Sequence, residues 1–196
     1  MTRSLRVTTP SDSRISKRKA LGRGQWLLLE EVEWEHPEGQ SLTWEVVRRA
    51  REQEAVMILA IAKPSGDLIL VDQYRPATDA QCLEFPAGLV DPGEEHGEAA
   101  LRELKEETGY HGTLDRLIPP RVVGPGVTSE RISLAIVTVD ENHPQNLNPQ
   151  PSPEPSESIR CVRLPKSQWP SLLEDQTPLE VDAKLASFIA GVLLDV

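Results

Sequence analysis

The apolar residues fall into short strand-like runs separated by turn residues, many in hairpin-like pairs. QWLLLEEVEW and SLTWEVVRRA bracket HPEGQ, whose Pro and Gly favour a turn. EAVMILAIAKP and DLILVDQYRP repeat the arrangement around PSGD, and QCLEFPAG is a short strand. ISLAIVTVD is the next clear strand and SIRCVRLP the last. Between them lies PQNLNPQPSPEPSES, where Pro, Asn, Gln and Ser dominate. A structureless segment of that length in a compact domain is either disordered or functional. Glu98 to Thr108 lacks Gly and Pro and is rich in helix formers, and VDAKLASFIAGVLL reads as a closing amphipathic helix. Strands outnumber helices, so the expected class is α/β (α+β), a mixed sheet with helices packed on it.

Composition adds boundaries. The 196 residues suffice for one well-cored domain and a small extra module, and 38% hydrophobic with 27% charged residues is ordinary for a globular protein. Charge is unevenly spread. Residues 1–24 hold seven Lys/Arg against Asp12, a net +6, so the total of −10 leaves −16 on the remainder. An acidic body of that kind repels polyphosphate, which argues against a nucleic-acid partner. Cys82 and Cys161 suggest neither a zinc site nor a disulfide framework. No apolar run approaches the roughly 20 residues that span a bilayer, so no membrane association is expected. The Arg/Ser-rich start reads as a flexible basic tail over residues 1–24, with an organelle presequence as the alternative. Cytoplasm is the default compartment, with nucleus and mitochondrion open.

The stretch GLVDPGEEHGEAALRELKEETGY (residues 88–110) carries seven acidic residues against Arg102 and Lys105. Like charges at helical neighbour spacing weaken a helix, so these carboxylates need a purpose. At 3.6 residues per turn Glu103 and Glu107 lie roughly 40° apart, with Glu106 about 60° to the other side of Glu103. The three therefore share a face, while Gly97, Leu101, Leu104 and Thr108 form a stripe suited to packing on a sheet. Arg102 has i,i+4 partners in Glu98 and Glu106, and Gly109 stands where a left-handed cap is expected. Hard cations such as Mg2+ take oxygen ligands, commonly a few carboxylates plus substrate phosphates. Glu at i, i+3 and i+4 supplies such a set on a rigid element.

Gly88, five residues, Glu94, seven residues, then Arg102-Glu103-Leu104, Lys105, Glu106-Glu107, Thr108, Gly109 and Tyr110 resemble the Nudix box at every fixed position. The one departure is Tyr110, where a bulky aliphatic residue is usual. The resemblance implies a Nudix fold, a mixed β-sheet sandwiched between helices, and hydrolysis of a nucleoside diphosphate linked to another group. Pro125 lies 15 positions after Tyr110, the mark of the ADP-ribose pyrophosphatase subgroup. EFPAGLVDPGE, QYRP, TWE and the later LPK look like the eukaryotic ADP-sugar pyrophosphatases, from about Gly24 to the C-terminus. Those enzymes are homodimers, which implies an N-terminal antiparallel extension over 25–54 that dimerises, followed by a hydrolase domain over 55–196.

The same resemblance implies site residues. Trp26 and Trp44 match the pair that sandwiches adenine across the dimer, while Trp34 and Trp169 read as packing residues. Arg49 and Arg75 match arginines on the diphosphate, where a planar guanidinium suits bidentate contact. Glu45, Leu89 and Pro125 complete the expected substrate-binding set. Two or three Mg2+, or Mn2+ in substitution, are expected on Glu103, Glu106, Glu107 and the carbonyl of Ala87. Arg102 would orient the carboxylates by ion pairing with Glu94 and Glu106. Glu157, eight residues before Pro165, takes the place of the glutamate that activates water, with Glu154 as its rival, and a mobile Pro-rich lid would deliver it. The implied products are AMP and ribose 5-phosphate. Open alternatives are another nucleoside diphosphate derivative as substrate, or a non-catalytic ADP-ribose-binding module.

Overall fold

The computed structural model describes residues 14–155, 157–174 and 179–194. Residues 1–13, which carry most of the expected tail, lie outside them. Two compact units emerge among the described residues, those up to 52 with 122–130, and those from 53 to 121 with those from 131 onward.

The first unit is a three-stranded antiparallel sheet of β1 (Ile15–Arg23), β2 (Leu27–Glu35) and β3 (Ser41–Arg49), in that spatial order. Along β2 the burial alternates, with Leu28, Glu30 and Val32 inside and Leu27 and Leu29 outside, as a pleated strand requires. Gly39 takes the positive φ that the β2–β3 turn needs. β1 corrects the expectation of a flexible tail reaching residue 24. Its basic side chains face acidic β2: Arg18 bonds Glu30, and Lys19 lies 4.0 Å from Glu31. Glu30 is buried and also bonds Arg48 at 2.8 Å. The hydrogen bonds and positive charge of Arg48 and then Arg18 outweigh its burial and hold its pKa below the usual carboxylate value. The unit also takes in residues 122–130, which the expected boundary at 54/55 assigned to the second domain. Val47 N–H donates to the Val127 carbonyl and Trp44 Nε1 to that of Gly126.

The second unit is built on an eight-stranded mixed sheet. β4 (Ala55–Lys63), β5 (Leu68–Arg75), β6 (Ala80–Glu84), β7 (Ala87–Leu89), β8 (Thr113–Val122), β9 (Arg131–Asp140), β10 (Ile159–Leu164) and β11 (Glu180–Val181) run in the order β11-β6-β5-β4-β9-β8, with β10 on β5 and β7 on β4. β4 pairs in parallel with β9 over its whole length and antiparallel with β5 only near its end. β4 and β5 read as continuous apolar runs because both faces are covered. One face carries Val56, Ile58, Ala60 and Val137 against α1 (His96–Thr108). The other carries Leu59, Leu68, Leu70 and Leu83 against Trp169 of a 3-10 helix (Lys166–Leu173) and Leu185 and Ile189 of α2 (Ala183–Leu193). This sandwich is the architecture implied by the resemblance.

Two features of this unit also differ from the sequence reading. β8 was not anticipated, because TLDRLIPPRV holds two prolines; at the end of the sheet's strand order it tolerates them. The Pro-rich segment is not structureless at its start, where Pro144–Asn146 forms a 3-10 turn. Among the described residues no helix is long and apolar enough to cross a membrane. Gly109 caps α1 at φ 76°, and a Cβ there would lie 2.3 Å from the Gln150 amide nitrogen. Gly109→Ala is therefore expected to lower the unfolding free energy by about 1–3 kcal/mol from backbone conformation alone, with the clash adding to it. Urea denaturation reads this directly, and an unchanged midpoint would contradict it.

Candidate active site

The helix that carries the carboxylates is fixed along its length. Ala99, Ala100, Leu104 and Thr108 are its fully buried residues, and the small alanines let it approach the sheet closely. The buried stripe is thus turned from the one expected, with Leu101 only half-buried at its margin. At the N-terminus His96 bridges two strands' worth of chain: one ring nitrogen lies 2.8 Å from Ser133 Oγ of β9 and the other 2.8 Å from Glu54. At the C-terminus the Gly109 amide donates to the Lys105 carbonyl, and the Ser152 amide donates to that of Glu106 at 2.7 Å. A cavity of about 500 Å3 opens on this side, bordered by Arg102, Lys105, Glu106, His111 and Ser152.

Arg102 is the hub of the acidic face. Its Nε and Nη2 donate to the two Glu94 oxygens at 2.9 Å each, and Nη1 donates to Glu103 at 2.9 Å and Glu106 at 3.1 Å. Nη2 also reaches the Leu89 carbonyl at 3.0 Å. These bonds raise the Arg102 pKa and lower that of Glu94, so both stay charged. Glu98, the other expected i,i+4 partner, is not among the bonds described for Arg102.

Glu103 and Glu107 behave differently. Burial pushes both pKa values up, and for Glu107 the value reaches about 8. Glu107 is 2% exposed and accepts one bond, from the Ala87 amide at 3.1 Å. The charges of Glu103 and Glu157 lie near enough to raise it further, while Arg75 pulls it down. Gly88 completes the surroundings, since a Cβ on it would fall 2.0 Å from the Glu103 carboxyl carbon.

The fold thus brings Ala87 and Gly88 of β7, Glu103 and Glu107 of α1, Arg75 at the end of β5 and Glu157 of the Pro-rich segment into one neighbourhood. Arg75 is held by Glu84 through bonds of 2.6 and 2.9 Å, a pair across the β5–β6 ladder. Glu157 and Glu154 form a small turn, in which each amide donates to an oxygen of the other residue. The local charge is negative in excess of its cationic partners, which suits a hard cation with oxygen ligands. Among the described residues no three acidic, His or Cys side chains form a ready cage for a metal ion.

The remaining expected residues lie in the first unit. Trp26 and Trp44 are 66% and 54% exposed, which leaves their faces open to stacking. Trp26 stands opposite Ala50 and Trp44 opposite Val32 on the β2–β3 ladder. That separation is roughly 20 Å along the strands, so within one chain they do not face each other. Glu45 is exposed on β3 and Pro125 is exposed in its turn. Arg49 donates to Glu130 at 2.6 and 2.9 Å. Trp169 is a core residue, and Trp34 packs edge-on against His36. Sequence reasoning did not single out Glu54, His96 and Ser133, nor Glu84 and Glu130 as arginine partners. Each pairs across strands or over long separations, where local spacing gives no signal.

The Glu107 shift has a consequence for stability. A carboxyl whose folded pKa rises from 4.5 to about 8 contributes stability fully below 4.5, and that contribution is lost as pH climbs towards 8. In chelator, wild type is therefore expected to lose melting temperature between pH 5 and 8 more steeply than Glu107→Gln, which has no proton to release. Parallel slopes in thermal melts would refute this.

A family model described as the NUDIX domain matches residues 51–178. An ADP-sugar pyrophosphatase of Mus musculus is 31% identical over 197 residues, covering 95% of this chain and 90% of its own length. An ADP-ribose pyrophosphatase of Saccharomyces cerevisiae is 33% identical over 180 residues, covering 87% of this chain and 78% of its own. Among solved structures, an ADP compounds hydrolase superposes with a TM-score of 0.69 at 27% identity, covering 96% of this chain and 97% of that one. On matches that span most of its length, the chain belongs to the Nudix family, as a hydrolase related to the ADP-sugar and ADP-ribose pyrophosphatases.

Proposed function

We propose that the protein is a Mg2+-dependent pyrophosphatase that cleaves ADP-ribose, and related ADP-sugars, to AMP and the sugar phosphate. The observation that carries this is the convergence of Glu103, Glu107 and Glu157, in which Arg102 bonds Glu103 while buried Glu107 accepts from the Ala87 amide and lies near both other carboxylates. Ala87 through its carbonyl, Glu103, Glu106 and Glu107 would hold Mg2+, with Mn2+ as a substitute. A divalent metal held by these residues would supply charge neutralisation and polarisation of the phosphoryl oxygens. Arg102 keeps Glu103 and Glu106 oriented, so the donor atoms are set before substrate arrives. Arg75 and Arg49, whose Nε and Nη2 already bond Glu84 and Glu130, are the arginines assigned to the diphosphate, through their remaining Nη donors. Glu157 takes the proton from the attacking water. Exposed Trp26 and Trp44 stack adenine between two copies of the chain, with Glu45 at its edge, which makes the homodimer the working form. Leu89 and Pro125 complete the substrate contacts. The ADP in the preferred substrate rests on relatives whose names specify ADP-ribose or an ADP-sugar.

Hydrolysis of ADP-ribose, ADP-glucose and NADH with Mg2+ tests the reading. Wild type is expected to favour ADP-ribose, and Glu157→Gln to lose about 10²–10⁴-fold in kcat with KM little changed. Glu107→Gln should lose at least as much. If ADP-ribose binds tightly to wild type and is never cleaved, the enzymatic reading is wrong. Gly88→Ala isolates the donor set, because the atoms its methyl meets within 4 Å are those of the Glu103 carboxyl end. Its melting temperature should hold while the Mg2+ needed for half-maximal rate rises about 10- to 100-fold.

A further inference from the structure

β5 opens with Leu68, Ile69, Leu70 and Val71, all buried, and then places Asp72 where another apolar residue would continue the run. Asp72 is 4% exposed and stands between Leu83 on β6 and Arg160 on β10. One oxygen accepts from Arg160 Nη2; the other, Oδ1, is buried and has no partner among the described residues. A half-satisfied buried carboxylate costs free energy, and hydrophobic replacements of buried ion pairs are often neutral or stabilising. Stability therefore gives no reason for an acid here.

Its partner does. Arg160 is the second residue of β10, the strand that begins directly after Glu157 and Ser158. The ladder's outermost bond here runs from the Tyr74 amide to the Ser158 carbonyl at 3.2 Å, one residue from Glu157. The other end of the segment is anchored independently. Buried Asn146 accepts from the His111 amide at 2.8 Å and donates to the His111 and Asp140 carbonyls at 2.9 and 2.8 Å. Farther on, the Ser152 amide holds the Glu106 carbonyl. Between that anchor and the β10 ladder only a few residues remain, and Glu157 sits at the ladder end of them.

We infer that Asp72 is a positioning residue, which through Arg160 pins the start of β10 and so fixes where Glu157 stands. The segment is then a short strap set at both ends instead of a freely moving lid. This inference rests on the reading of Glu157 as the base, and it assigns Asp72 and Arg160 no contact with substrate or metal.

Asp72→Leu is the informative variant, because it fills the site with an apolar side chain and leaves Arg160, 74% exposed, in solvent. Its melting temperature should stay level or rise, while kcat for ADP-ribose falls about 10- to 100-fold through misplacement of the base. KM and the Mg2+ requirement should be unchanged, and amide exchange at Ser158 to Arg160 should speed up. Placed in Glu157→Gln, the same substitution should cost nothing more. Arg160→Lys, which keeps the ion pair, should retain most of the activity. Full kcat in Asp72→Leu overturns the inference, as does an equal loss with and without Glu157. Should Asp72→Leu fail to fold, Arg160→Gln in both backgrounds reads the same coupling. Full activity in Glu157→Gln alone marks the separate failure of the base assignment, and the inference falls with it.

Discussion

Arg102 spreads one guanidinium over Glu94, Glu103, Glu106 and the Leu89 carbonyl, and the candidate site depends on that distribution. Carboxylates packed onto one helix face repel one another, and a central arginine with five donors in a fixed fork offsets that repulsion on one side. It does not reach the other side. Among the described residues Glu107 has the Ala87 amide, the pull of Arg75, and the opposing charges of Glu103 and Glu157. The charge is therefore balanced around Glu94 and unbalanced around Glu107, and the imbalance is where a cation has most to gain.

An unbalanced cluster persists only on a rigid frame. The close packing of Ala99, Ala100 and Leu104 onto β4 and its neighbours gives α1 little room to shift. Its first turn is tied to β9 and to the residue before β4 through His96, Ser133 and Glu54. Its last turn is capped by Gly109 and by the Ser152 amide. With both ends held, Glu103 and Glu107 differ in environment for a fixed reason, depth, instead of averaging through motion. The cost of burying Glu107 is carried by the apolar clusters on both faces of the sheet.

The three-stranded sheet solves a different problem with related chemistry. Buried Glu30 draws Arg18 of β1 and Arg48 of β3 onto β2, which ties the register of all three strands to one carboxylate. Apolar and aromatic groups such as Leu27, Leu29 and Trp44 then remain exposed on strands whose positions are set by charge.

The sequence by itself determined the elements whose signals are local. The strands from Leu27 to Arg75, the helix with its carboxylate face and its glycine cap, and the box spacing were all legible, because each depends on residues a few positions apart. The first strand was hidden: a run of Lys and Arg reads as solvated tail until acidic β2 lies beside it. β8 was hidden by its prolines, which the end position in the sheet tolerates. Tertiary structure alone decided the strengths and partners. Which of three similar glutamates is most deeply buried, which arginine is claimed by Glu84 or by Glu130, and which buried aspartate faces Arg160 all depend on strands brought together from distant positions. Charge interactions act through space and burial, and neither is written in spacing along the chain.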